Sequence, residues 1–198
     1  MKTERGFLSF DELQQIEFKK FTIPRLELVK DLFVFSCYTS LSYIDVIHLT
    51  ADNISVGIDG ELWIYYNREK TDKSIKIPLL PKALHIIDKY KDSHKSKSQG
   101  TIFPKMSNQK LNSYLKEIAD VCGIKKNLTF HIARHTFATT VTLSNGIPIE
   151  TVSKLLGHSK ISTTQIYAKV IERKVSDDMW RLRIEFNEIE KEKRIKII

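Results

Sequence analysis

Cysteine, proline and glycine are scarce in this chain, at 2, 5 and 7 of 198 residues. Cys37 and Cys122 sit among apolar neighbours and lack a metal-ligand spacing. They exclude a disulfide framework and read as reduced core residues. Low proline and glycine exclude collagen-like and low-complexity classes. Long hydrophobic runs are missing as well. The stretch LFVFSCYTSL is too short for a bilayer and is broken by polar residues, so no membrane partner is expected. MKTERGFLSF lacks the apolar segment of a secretory signal. Together these absences predict a cytoplasmic protein.

What is present points to a folded domain with a polyanionic partner. Hydrophobic residues make up 41% and charged residues 28%, which argues against disorder. The length suits one domain, or one domain with a small appendage, and a core that needs no staples. Lys and Arg number 32 against 24 Asp and Glu, a formal charge of +8. Such an excess favours DNA or RNA through phosphate neutralisation; the competing reading is an unspecific basic surface.

The pattern predicts an α+β fold, mainly helical, with a small three-stranded antiparallel sheet. Ser9 or Asp11 caps a first helix, and Pro24 opens a second whose wide apolar stripe marks it as buried. In NISVGIDGELWIYY, Asp59-Gly60 is a hairpin signal between β-prone runs. A second turn near Lys70 to Lys73 leads into an alternating strand ended by Pro78. Helices are expected over 80–90, 109–122, 131–144 and 148–156, with a polar, mobile loop over 91–100. Ser162 and Gln165 have capping-box spacing, which places Tyr167 on a short helix.

The stretch HIARHTFATTVTLSNGIPIETVSKLLGHSKISTTQIYAKV carries the chemistry. Breaking a phosphodiester with a protein hydroxyl needs a nucleophile, cations at the non-bridging oxygens and an acid for the leaving oxygen. His131 and Arg134 share a helix face, and Arg134 offers a fork that matches phosphate. His158 follows a helix stop at Gly157, and Tyr167 lies nine positions on. Each alone has a structural explanation; their ordered combination points to one phosphate site.

HIARHTFAT resembles the H-x-x-R-H box of the tyrosine recombinase (phage integrase) family, and LLGHSKISTTQIYAKV resembles its L-G-H…T-x-x-Y box. The resemblance reaches upstream to SFDELQQIE, over almost the whole chain. It implies an integrase-type catalytic domain over residues 1–171. Tyr167 would attack the scissile phosphate, forming a 3′-phosphotyrosyl bond and freeing a 5′-hydroxyl. Arg134 would stabilise the transition state. His131 and His158 would hydrogen-bond the phosphate, with His131 sharing in deprotonation of Tyr167. Lys70 stands where the family has a hairpin lysine that protonates the leaving oxygen. Neither metal nor other cofactor is implied. Double-stranded DNA is the implied partner, with a homotetramer on DNA and a monomer without it. The family's N-terminal core-binding domain has no counterpart here. That suggests an excised fragment or truncated product with weak, salt-dependent DNA binding.

One position departs from the family. Its first arginine lies in T-G-L-R-x-x-E/D, and here Ser42 stands in that place within Thr39-Ser40-Leu41-Ser42-Tyr43-Ile44-Asp45. Serine cannot replace a bidentate cation. Either the enzyme is weak or inactive, or another cation serves. The sequence is similar in this respect to integrases of some bacterial conjugative transposons. Arg68, on the strand face shared with Lys70, is the first candidate and Arg25 the second; the plain alternative for Arg68 is a DNA-backbone contact. His135 reads as a core or supporting histidine. The C-terminal segment 172–198, with Met179, Trp180, Leu182, Ile184 and Phe186, is a helical tail that docks on a neighbouring protomer or packs on its own domain. The competing function is a silent DNA-binding module. A resolvase or invertase, or a type IB topoisomerase, would share the chemistry.

Overall fold

In the computed structural model, residues 6–68 and 73–168 are described, together with 176, 179, 180, 182–184, 186 and 187. Helix α1 (Phe10–Phe18) begins at Ser9, whose hydroxyl accepts the Glu12 amide while the Glu12 carboxylate accepts the Ser9 amide. Helix α2 (Pro24–Thr39) starts at a proline, where a missing amide costs nothing. It packs against α1, α4 (Pro81–Tyr90), α6 (Asn108–Val121) and α7 (Phe130–Thr136). Leu32, Phe33 and Phe35 on α2 are fully buried, each worth about 1.5–3 kcal/mol. The expected buried helix is therefore the centre of the fold.

The sheet has the order β1-β2-β3, formed by Ile54–Val56, Leu62–Asn67 and Ser74–Pro78. All pairing is antiparallel, with Ile64 opposite Ile77 and Tyr66 opposite Ile75 on the buried face. Arg68 continues the alternation of Ile64 and Tyr66, so it too points inward. Its amide donates to the Lys73 carbonyl at 2.9 Å, which carries the hairpin one pair beyond β2.

Three local expectations need correction. The segment 91–100 contains helix α5 (His94–Gln99), capped by the Ser93 hydroxyl and ended by Gly100 at φ 64°. Its composition is polar, but Ser96 is buried. The helix expected over 131–144 is α7 followed by a π-helical stretch, Phe137–Thr142, and a 3-10 turn, Leu143–Asn145. Threonine hydroxyls compete with the backbone here: Thr142 Oγ1 donates to the Phe137 and Ala138 carbonyls at 2.9 and 2.8 Å. Thr136 Oγ1 and Thr140 Oγ1 also tie the backbone of Leu8 to this stretch. Ser162 lies inside a 3-10 turn, Ile161–Thr163, and does not cap α9 (Gln165–Ala168). Tyr167 is nonetheless on that short helix.

Candidate active site

Helix α7 is pinned before it presents any chemistry. Phe130 meets Phe33 and Tyr43 edge-on, at centroid distances of 6.4 and 6.1 Å. Its amide donates to Asn112 Oδ1 on α6 at 2.8 Å. His131 and Arg134 thereby line a cleft of about 270 Å³ with Ser42, Tyr43, Asn108 and Asn112.

Arg134 is held from two sides. Nη1 donates to the Ser40 carbonyl at 3.1 Å, and Nη2 donates to the Leu156 carbonyl. Ser40 ends α2 in the left-handed region at φ 60°, which turns the chain out of the helix beside Arg134. Burial first, and the Arg68 charge second, push Arg134 down to about 10, opposed by Tyr167 and Asp45. It stays cationic at neutral pH.

His158 follows helix α8 (Ile149–Leu155) and Gly157. Its Nε2 faces Arg134 Nη2 at 3.3 Å and its Nδ1 faces Thr164 Oγ1 at 2.8 Å. A guanidinium can only donate, so Nε2 accepts and Nδ1–H donates to the threonine. Burial, then Arg134, Arg68 and Lys73, push His158 down to about 4. The ring is neutral at physiological pH.

Tyr167 is 6% exposed and packs in a second apolar cluster with Phe137, Ala138, Leu143, Val152 and Leu156. Its hydroxyl lies 2.7 Å from Nδ1 of the buried His135. The His131 ring stands edge-on to His135, with centroids 4.4 Å apart. His135 is thus buried and in direct contact with the expected nucleophile.

The opposite wall holds Ser42, Asp45 and Arg68. Ser42, at the start of α3 (Tyr43–His48), donates its amide and hydroxyl to Asp45 Oδ2 at 3.1 and 2.7 Å. The same oxygen accepts Arg68 Nη1 at 3.4 Å. Arg68 is 8% exposed, and its buried Nε and Nη2 have no hydrogen-bond partner among the described residues. Burial lowers its affinity for the proton, and Asp45 opposes that shift. An unsatisfied buried cation is costly, and such costs concentrate where a ligand will meet them.

Gly157 closes this wall. Its φ is +65°, and an added Cβ would lie 2.9 Å from Ile75 Cγ2 and 3.1 Å from Arg68 Nε. A second cleft of about 580 Å³ lies beyond it, lined by Trp63, Lys73, Lys76, Lys154 and His158 among others.

The fold therefore assembles His131, Arg134, His158 and Arg68 with Ser42, and sets Tyr167 against His135. Arg25 is elsewhere, exposed, 3.5 Å from Glu117 and stacked over Tyr114. Lys70 lies outside the described residues. Sequence reasoning gave no role to Thr164 or Asp45 and no contact to His135. Their signals were present: His135 closes the H-x-x-R-H box, Thr164 opens T-x-x-Y, and Asp45 stands three residues after Ser42.

The chain is similar to known recombinases and integrases. The phage integrase family model matches residues 25–173. A tyrosine recombinase XerD of Listeria monocytogenes is 35% identical over 119 residues, covering 54% of this chain and 40% of that protein. The chain thus spans well under half the length of that relative. A tyrosine recombinase of Pseudothermotoga lettingae is 45% identical over 62 residues, 31% of this chain and 21% of that protein. Among solved structures, XerA recombinase matches with a TM-score of 0.67 at 23% identity, over 90% of this chain and 65% of that one. A lambda integrase dimer bound to a core site gives 0.65 at 21% identity, over 84% and 60%. The catalytic domain of bacteriophage HP1 integrase gives 0.61 at 21% identity, over 89% and 94%. With a family model that covers most of its length and a fold shared with integrase catalytic domains, the chain belongs to the phage integrase family.

Proposed function

We propose that this chain cuts and rejoins double-stranded DNA at specific sites, through a 3′-phosphotyrosyl bond to Tyr167. The carrying observation is the charge arrangement. Two buried guanidiniums, Arg68 and Arg134, share Asp45 as the carboxylate that acts on both. Arg68 keeps two buried donor nitrogens without partners among the described residues. This is a preorganised seat for an anion, and a phosphodiester between the two clefts would find His131 on one side and His158 on the other.

In this reading Arg134 and Arg68 clamp the non-bridging oxygens, and Arg68 serves where Ser42 has replaced an arginine. His131 and His158 donate to the same phosphate; His158 reaches it by moving its proton from Nδ1 to Nε2 as Arg134 turns to the ligand. Lys70 protonates the leaving 5′-oxygen. The phosphotyrosyl bond conserves the energy for rejoining, so neither nucleotide nor metal is needed. The protein works in the bacterial cytoplasm as a homotetramer on DNA and a monomer off it. Met179, Trp180, Leu182, Ile184 and Phe186 are all at least 41% exposed, which suits docking on a neighbouring protomer.

Incubation with a nicked suicide DNA substrate tests this reading. A covalent protein–DNA adduct is expected from the unaltered chain and none from Tyr167→Phe. Failure of the unaltered chain on every site tried would favour a silent DNA-binding module, with the loss at Ser42 as its cause.

A further inference from the structure

The family resemblance gave a share in deprotonating Tyr167 to His131, yet the group in contact with the Tyr167 hydroxyl is His135. We propose that His135 is the base for Tyr167: its Nδ1 receives the phenolic proton as the tyrosine oxygen attacks phosphorus. The proposal rests on the strand-cleavage reading above.

The geometry is that of a nucleophile and its base. The hydroxyl and Nδ1 are 2.7 Å apart. His135 is 3% and Tyr167 6% exposed, so water is largely kept from this pair. A free tyrosine has a pKa of about 10, so only about one molecule in a thousand is ionised at pH 7. A neutral imidazole nitrogen accepts a hydrogen bond more strongly than a phenol oxygen does. The phenol therefore donates to Nδ1, and the ring carries its own proton on Nε2. The Tyr167 hydroxyl also lies close enough to Arg134 for the two to influence each other electrostatically. That cation favours the phenolate as it forms.

The step balances. The Tyr167 O–H bond breaks and an N–H bond forms at His135 Nδ1. The phenolate oxygen bonds to phosphorus, and the P–O5′ bond breaks, its oxygen taking a proton from a separate acid. In rejoining, the 5′-hydroxyl attacks and returns its proton to the group that served as the acid, and the departing tyrosine oxygen recovers its proton from Nδ1. His131, edge-on to His135 and lining the cleft, is left to serve the phosphate.

Two measurements test the assignment. The first is ¹⁵N NMR of the imidazoles in the full chain at pH 7, assigned by through-bond correlation. His135 should carry its proton on Nε2 with Nδ1 bare; a protonated Nδ1 would overturn the proposal. The second is single-turnover cleavage of the suicide substrate by His135→Asn, whose side-chain oxygen can accept the hydrogen bond but not the proton. A loss of about 10²–10⁴-fold at pH 7 is expected, with at least tenfold recovered by pH 9.5, where hydroxide can take the proton in place of the missing base. A 5′-bridging phosphorothiolate, which relieves a missing acid, should not rescue it. Cleavage by the Asn variant within threefold of the unaltered chain at pH 7 would sink the base assignment alone. No adduct from the unaltered chain would sink the recombinase reading, and the base with it.

Discussion

The two walls of the site are built on different principles. On one wall, His131, Arg134, His135, His158 and Tyr167 come from 37 consecutive residues, and neighbours within that stretch hold several of them. On the other, Ser42 and Asp45 start a short helix while the cation, Arg68, arrives from the end of a strand. Asp45 Oδ2 gathers both pieces. The difference teaches that one carboxylate can join a helix start to a cation from a distant strand end, which is the arrangement that the proposed role of Arg68 requires. The local wall is readable as a motif; the composite wall becomes readable only when the sheet is folded.

Of the variants that separate the two walls, the largest expected effect attacks the composite wall. Arg68→Met should lower single-turnover cleavage by about 10²–10³-fold, the loss of one donor to transition-state charge. Its melting temperature should stay level or rise, because the variant removes an undersatisfied cation and its repulsion of Arg134. A fall of more than about 3 °C, near 1 kcal/mol for a chain of this size, would instead make Arg68 a structural residue. Adding Ser42→Arg to Arg68→Met should restore at least a tenfold share of the cleavage, since both positions address Asp45. No recovery would break the equivalence of the two sources of charge.

The next effect sits where the walls touch. Gly157→Ala must adopt a left-handed backbone and push its Cβ towards Ile75 and Arg68. A destabilisation of about 1–3 kcal/mol is expected by thermal melting. Cleavage at a temperature well below melting should also fall, as Arg68 is displaced. Unchanged stability would show that Gly157 tolerates a side chain and does not position Arg68.

The smallest effect concerns the local wall alone. His158 is held down to about 4, against 6.5 for an ordinary histidine. The unfolded chain therefore binds more protons at this position between those values. The stability due to neutral His158 is complete above pH 6.5 and is lost as pH falls towards 4. His158→Gln should flatten the fall of melting temperature over that window, compared with the unaltered chain. An identical pH slope in both proteins would remove His158 from the electrostatics of the site.

How far the sequence could be read follows the same division. The central helix, the three-stranded sheet and the ordered box from His131 to Tyr167 were legible, because periodicity, turn residues and motif spacing are local signals. Helix α5 was not, since its polar residues match a loop in composition and only the caps Ser93 and Gly100 mark it. The π-helical stretch was hidden because apolar periodicity does not register threonine hydroxyls competing for carbonyls. Arg68 was nominated from strand alternation, but its tie to Asp45 joins positions 23 apart and depends on β2 folding back on α3. Arg25, the second candidate, carries the same charge, and its pairing with Glu117 is a tertiary fact. His135 looked like packing because nothing local says which buried group a histidine will meet.

The central claim is that Tyr167 becomes covalently joined to DNA. Its most direct test is mass spectrometry of the protein–DNA adduct after nuclease and trypsin digestion. A nucleotide attached to the peptide containing Tyr167 is the expected result. A nucleotide on any other residue, with Tyr167 unmodified in the same adduct, would contradict it.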